Sequence, residues 1–272
     1  MKNLLLLAIS ITLLFKVGAQ FKILSCGVVS GEDNINISRL FTAGNNGEPC
    51  MAIASTCDKS STANVNVVPC KTYSTNFPLI ESPISEGGNW INGSTNGLDW
   101  GYVSTTIGQT HTHPGTANYA DATALLTGTW GSDQMAQATV GNIVKACTSD
   151  TCYPEVELRL RSTLLAHVCN GYEITFSLRP NAKAYLIIVR WNGSLADFTY
   201  LLNQSGSQYQ AKKGDVIKAT VVGNVISAYK NGVLMGQATD NTFTSGNPGM
   251  GFNEQSFNGD YGFSSFTASD NH

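Results

Sequence analysis

Residues 226–238 read ISAYKNGVLMGQA, and two strand-like runs meet there at Asn231-Gly232. Asn-Gly reaches positive φ angles without strain, and the type I′ turn it favours has the twist that joins two antiparallel strands. The stretch therefore predicts a β-hairpin. Upstream, Val216–Val222 is another strand-length run, and residues 185–191 are nearly continuous in apolar side chains, as in a strand buried on both faces. Tyr172, Ile174, Phe176 and Leu178 alternate with Glu173, Thr175 and Ser177. From about residue 71 onward the chain reads as strands divided by turn clusters. One stretch, 135–144, fits a short helical turn and a strand equally. Short strands at this spacing predict an all-β, two-sheet antiparallel β-sandwich.

A second stretch, EVELRLR at 155–161, places Glu155, Glu157, Arg159 and Arg161 at every second position, with Val156, Leu158 and Leu160 between them. On a strand this puts four charges on one face and three aliphatics on the other. The expectation is a wet, concave sheet face. Its charges either pair across strands, each pair worth about 0–1 kcal/mol, or hydrogen-bond the hydroxyls and carboxylates of a sugar.

At 272 residues the chain can bury one substantial core. Only 13% of residues are charged, the formal net charge is −3, and no basic block exists, so a nucleic-acid partner is not expected. Lys2, an apolar run over 4–14 and the small residues Val17-Gly18-Ala19 have the layout of a signal peptide, 1–19, with Gln20 as the mature start. Lys16 ends the run too early for a comfortable span, so the mature chain is expected to be secreted with no membrane span. Secretion makes the seven cysteines disulfide candidates before metal ligands. Cys26, Cys50, Cys57 and Cys70 fall in a Cys-rich N-terminal extension, 20–70. Cys147, Cys152 and Cys169 cluster later: Cys147 with Cys152 would leave Cys169 odd, or Cys169 bonds one of them. N-x-S sequons begin at Asn36, Asn92, Asn192 and Asn203. Nothing in the sequence sets an oligomeric state.

Residues 214–252, GDVIKATVVGNVISAYKNGVLMGQATDNTFTSGNPGMGF, run from a Gly-Asp turn through the Asn-Gly hairpin to a Ser-Gly-x-Pro-Gly-x-Gly-Phe turn. With YGFSSFTASD at 261–270 and STNFPLIESPISEGGNWING at 74–93, the chain over 71–270 resembles the concanavalin A-like lectin/glucanase superfamily, the laminin-G-like jelly rolls. That resemblance implies a jelly roll whose closing strand pairs beside the opening one. Its members include lectins, adhesion modules, glycosidases and polysaccharide lyases. The implied function is carbohydrate binding or glycan-associated adhesion through the concave sheet, with a polysaccharide or glycan as partner and no required cofactor. Calcium as structural glue follows from the resemblance alone, because no D-x-D-x-D-G loop is present.

Cleavage of a polysaccharide is the alternative. Laminarinase-type relatives carry E-x-D-x-(x)-E on one strand, and Glu155 and Glu157 begin that way. Arg159 then stands where a carboxylate is wanted, and an arginine there is expected to depress the Glu157 pKa, against general-acid work. A polyuronate lyase needs a cation for the uronate and a Tyr or His for the proton, roles open to Arg159, Arg161, Arg190, His167 and Tyr172. VELRLR and YKNGVLMGQ loosely resemble alginate-lyase motifs, yet the third element, Q-x-H, is absent. The catalytic candidates are thus Glu155, Glu157, His167 and Tyr172, lyase before hydrolase. The ligand-binding candidates are Glu157, Arg159, Arg161, Glu173, Arg190 and Trp191. All four tryptophans could stack on sugar faces, although burial in a sandwich core is commoner; Trp191 and then Trp100 are the leading candidates for exposure. His111 and His113 have metal-ligand spacing with no third ligand nearby, which favours a surface loop. A structural matrix or surface protein is the remaining alternative.

Overall fold

The hairpin at Asn231-Gly232 is present, with φ of 52° and 79° at those two residues, the left-handed pair that a type I′ turn needs. It belongs to a computed structural model that describes residues 71–97, 99–113, 121–143, 152–253 and 261–270, with short backbone stretches within the first 70. Two compact units divide the chain: Met1–Cys70 with Asn271–His272, and Lys71–Asp270. In the first, short strands such as Met51–Ala54 and Asn64–Val67 pair antiparallel. The expected signal peptide and the pairing of Cys26, Cys50, Cys57 and Cys70 lie outside the described residues.

In the second unit the strands are, in chain order, β1 (Thr72–Thr75), β2 (Trp90–Asn92), β3 (Tyr102–Thr106), β4 (Gln109–His113), β5 (Ala122–Leu126), β6 (Gln134–Val140), β7 (Glu155–Leu165), β8 (Val168–Ser177), β9 (Tyr185–Gly193), β10 (Phe198–Ser205), β11 (Val216–Val222), β12 (Val225–Lys230), β13 (Val233–Thr239), β14 (Asn247–Asn253) and β15 (Phe263–Asp270). A seven-stranded sheet runs β10-β9-β8-β7-β14-β5-β2, and a six-stranded sheet runs β13-β12-β11-β6-β15-β1. Within the stretch 135–144, residues 135–140 belong to strand β6, and 144 lies outside the described residues. The closing strand β15 lies beside β1, with Phe266 opposite Thr75. Between the sheets, Val156, Leu158 and Leu160 of β7 join Ile174 and Phe176 of β8 and Ile217, Ala219 and Val221 of β11 in one core. Each larger side chain withdrawn from water there stabilises the fold by about 1.5–3 kcal/mol.

Strand β7 departs from the expected wet face. Every residue from Glu155 to Ser162 is buried, charged and aliphatic alike. A second apolar cluster covers the outer side of the seven-stranded sheet: Trp100, Leu125, Leu164, Cys169, Val189 and Trp191. Trp100 follows a single π-helical turn, Gly93–Gly97. Gly97 permits the close approach, since a Cβ there would lie 2.8 Å from Leu164 Cδ1. Alternation assigned the faces correctly. It does not say whether a face meets water.

The alternation also breaks before its end. Arg161 has φ 46°, and the register slips between Leu160 and Thr163 against β8 and between Arg159 and Ser162 against β14. This β-bulge inserts one residue, so Leu164 joins the charged face and Arg161 leaves it.

Candidate functional site

Arg159 sits at the centre of the covered face, 1% exposed. Its Nη2 donates to Glu157 Oε2 at 2.6 Å, its Nη1 lies 2.8 Å from Glu173 Oε2, and Asp121 Oδ2 is 3.6 Å from Nη2. Strand register explains the meeting: Glu157 pairs with Gly251 and Arg159 with Glu173, so these side chains leave the sheet on one side. Gly251 makes the space, because a Cβ there would stand 3.0 Å from Arg159 Nε. Glu173 is fixed further by Thr175 Oγ1, which donates at 2.7 Å, and by Trp191 Nε1, which donates at 2.6 Å. Glu155, one step along the same row, accepts a hydrogen bond from the Tyr185 hydroxyl.

Three carboxyls, of Asp121, Glu157 and Glu173, therefore surround one guanidinium in a buried setting, with Glu155 next along the row. Burial, then the neighbouring Glu173 and Asp121, push Glu157 well above the ordinary carboxylate range. Asp121 is raised by burial and then Glu173, and Glu155 by burial and then Glu157. This reverses the expectation that Arg159 would depress Glu157. A single guanidinium is outweighed by complete burial and two further carboxylates. Burial alone would work against the charge on Arg159, but Glu173 and Glu157 hold it firmly protonated.

Of the sequence candidates, Glu157, Arg159, Glu173 and Trp191 are brought together, and all are buried. Trp191, the leading candidate for exposure, packs edge-on to Trp100 at 5.7 Å between ring centroids and is only 3% exposed. Trp100 is buried as well, so neither candidate for exposure meets water. Arg161 and Arg190 are elsewhere. Arg161 turns to the end of the sandwich, where its guanidinium donates to the carbonyls of Ser132, Phe243 and Gly223 and its own N–H reaches Gln134 Oε1. Arg190 pairs with Tyr172 and therefore faces away from Trp191, its chain neighbour. Its Nη1 donates to Asp240 Oδ2 at 2.7 Å.

The catalytic candidates do not converge. Tyr172 lies on the core side of the sheet, opposite Glu157, and its hydroxyl donates to Asp240 Oδ1 at 2.7 Å. Burial, then that hydrogen bond, raises its pKa to about 12. His167 stands exposed at the β7–β8 turn, 2.7 Å from Asp99 Oδ2. Glu155 and Glu157 share a face but are buried. His111 and His113 lie on strand β4 rather than on a loop, with His111 Nε2 2.7 Å from Thr106 Oγ1 and His113 stacked on Tyr102. Cys169 is a buried free thiol, raised to about 12 by burial, and Cys152 is disulfide-bonded. The amide of Asn92 is buried between Ile84 O and the Val103 N–H, so the folded chain does not present that sequon at its surface. Calcium fits poorly. Among the described residues the one cluster of three carboxylates, Asp121, Glu157 and Glu173, already surrounds Arg159.

Sequence reasoning missed a different feature of the same face. Trp100, Trp191, Phe198 and Tyr200 form a continuous series of ring contacts, with centroids 5.7, 5.2 and 5.3 Å apart in turn. It starts at the buried Trp100 and ends on edge strand β10 at Tyr200, which is 54% exposed. The signal was the FTY triplet at 198–200, whose outer rings share a strand face. Among the described residues no helix is long and apolar enough to cross a membrane.

No protein-family model matches the sequence, and no curated protein does. Solved structures resemble it in fold. The exoplasmic/lumenal domain of VIP36 in its metal-free form aligns with a TM-score of 0.50 at 10% identity, over 73% of this chain and 91% of that one. The potassium-bound carbohydrate recognition domain of Emp46p aligns at 0.49 and 11% identity, over 74% and 97%. The carbohydrate binding module CBM66 from Bacillus subtilis aligns at 0.45 and 15% identity, over 67% and 92%. With its two antiparallel sheets, the second unit has the concanavalin A-like, legume-lectin-like jelly-roll fold.

Proposed function

We propose that the protein is a secreted, lectin-like glycan-binding protein whose ligand stacks on the edge of the seven-stranded sheet. Lectins, adhesion modules and polysaccharide-cleaving enzymes share this fold, so the surface must decide among them. The observation that supports binding is the ring series ending at Tyr200. A rigid phenol backed by Phe198 offers an apolar platform for the C–H face of a pyranose at small entropic cost. Asn203 and Ser205 are exposed on the same side of β10, since they pair with Ile187 and Tyr185, and they supply hydrogen-bonding groups for hydroxyls. The Arg159 cluster lies inward of this edge and acts as the rigid support of the face rather than as the surface touched.

Because Asn203 also heads a sequon, the test uses full-length protein made without N-glycosylation. Wild type is expected to bind members of a glycan array, and Tyr200→Ala to weaken that binding about tenfold, near 1.4 kcal/mol for a central aromatic contact. Binding that is unchanged in Tyr200→Ala would move the site. No binding at all would leave a structural role for the sandwich. Polysaccharides incubated with the protein are expected to yield neither unsaturated products absorbing in the ultraviolet nor new reducing ends.

A further inference from the structure

We infer that Arg159 stands where a metal ion would fit among Asp121, Glu157 and Glu173, so that the cation of the cluster is part of the chain. Asp121, Glu157 and Glu173 offer carboxylate oxygens within 4.8 Å of one another, a hard, all-oxygen set of the kind that calcium fills. The guanidinium reaches all three, at 3.6, 2.6 and 2.8 Å respectively. Its Nη2 donates to Glu157, its Nη1 forms an ion pair with Glu173, and its charge does not titrate away. A second observation fits an arrangement shaped for a cation larger in charge than one arginine. Glu157 Oε1 and Asp121 Oδ1, together with Nε and Nη1 of Arg159, are buried and have no hydrogen-bond partner among the described residues. Without the guanidinium, three carboxyls converge with nothing between them, their charge is met either by protons or by a cation, and calcium in excess competes with the protons for the oxygens.

The inference does not depend on any glycan at Tyr200. Its test compares full-length wild type, Arg159→Ala and Arg159→Lys in chelator and in excess calcium, by thermal unfolding and by terbium luminescence. Trp191 donates directly to Glu173 and so stands ready to sensitise a lanthanide held there. Wild type and Arg159→Lys are expected to melt at the same temperature with or without calcium and to give no sensitised terbium emission. Arg159→Ala is expected to gain saturable emission and a calcium-dependent rise of roughly 5–10 °C at a hundredfold excess over Kd. If Arg159→Ala does not fold in chelator, calcium present during refolding is expected to recover it. Calcium stabilisation or terbium emission in wild type overturns the inference. So does an Arg159→Ala protein that stays indifferent to both ions, folded or unfolded.

Discussion

Glu157 has one oxygen on Arg159 and the other buried with no partner among the described residues, so its charged form rests on one ion pair against full burial. With Asp121 and Glu155 it keeps its proton to higher pH in the folded chain than in the unfolded one, where ordinary values are 3.8 for Asp and 4.5 for Glu. Between those points the folded state binds more protons, and stability must fall as pH rises. The contribution is complete below about pH 4 and is lost upward through the raised values. Asp240 has the opposite sign: its pKa is lowered, so its contribution is lost only in acid below its ordinary 3.8. Urea unfolding between mildly acidic and mildly basic pH should therefore give a higher midpoint at the acidic end. Glu157→Gln removes one titrating group while keeping an acceptor for Arg159. It is expected to flatten that slope and to be at least as stable as wild type at the basic end. A slope as steep as wild type would mean that Glu157 is ionised throughout. The sequence placed Glu157 and Arg159 on one face correctly. It could not weigh their charges, because depth of burial and the arrival of Asp121 and Glu173 come from other strands.

Strand β7 shows how far a period-two pattern can be trusted. It holds from Glu155 to Leu160 and fails at Arg161, where the bulge sends the side chain to the sandwich end. The bulge is packed between two glycines. At Gly171, φ 120°, a Cβ would lie 2.5 Å from Ser162 Cα, and at Gly246, φ 132°, it would lie 2.7 Å from Ser162 N. Neither approach can be relieved by moving a flexible side chain. Gly232 differs: it also has positive φ, 79°, but open space surrounds its Cβ position. Gly232→Ala is thus expected to cost about 1–2 kcal/mol, the left-handed backbone penalty alone. Gly246→Ala adds a backbone collision, and about 3 kcal/mol or more is expected. For a unit of this size that is a fall in Tm of roughly 6–12 °C. Equal effects in the two variants would show that the bulge yields easily. A glycine inside an alternating strand, Gly171 in CNGYE, was the available sign of close backbone approach. The hairpin was legible for the converse reason: a two-residue turn depends on its own φ angles, and Asn231-Gly232 states them locally.

At the scale of the molecule, what was not legible is what covers each sheet. The apolar rows of β7, β8 and β11 announce a core because they are continuous in sequence. The cover over the charged face comes from the loop bearing Trp100, about sixty residues upstream of β7, and such a long-range contact leaves no periodic trace. The same layering closes the second unit's core within its own strands. Its core lies between its own two sheets, its opening and closing strands pair with each other, and its outer face is covered by its own Trp100 loop. Residues 71–270 expressed alone are therefore expected to fold, giving a β-rich circular dichroism spectrum and a single urea transition. That transition should match the one that abolishes Trp191 fluorescence burial in the full chain, since Trp191 is held by Glu173, Trp100 and Phe198 of the same unit. Glycan binding, and its loss in Tyr200→Ala, should pass to the fragment unchanged, because the ring series lies wholly within 71–270. A fragment that aggregates or unfolds without a transition would show that residues 1–70 complete the fold. One that folds but does not bind would place the ligand's contacts partly in the Cys-rich unit.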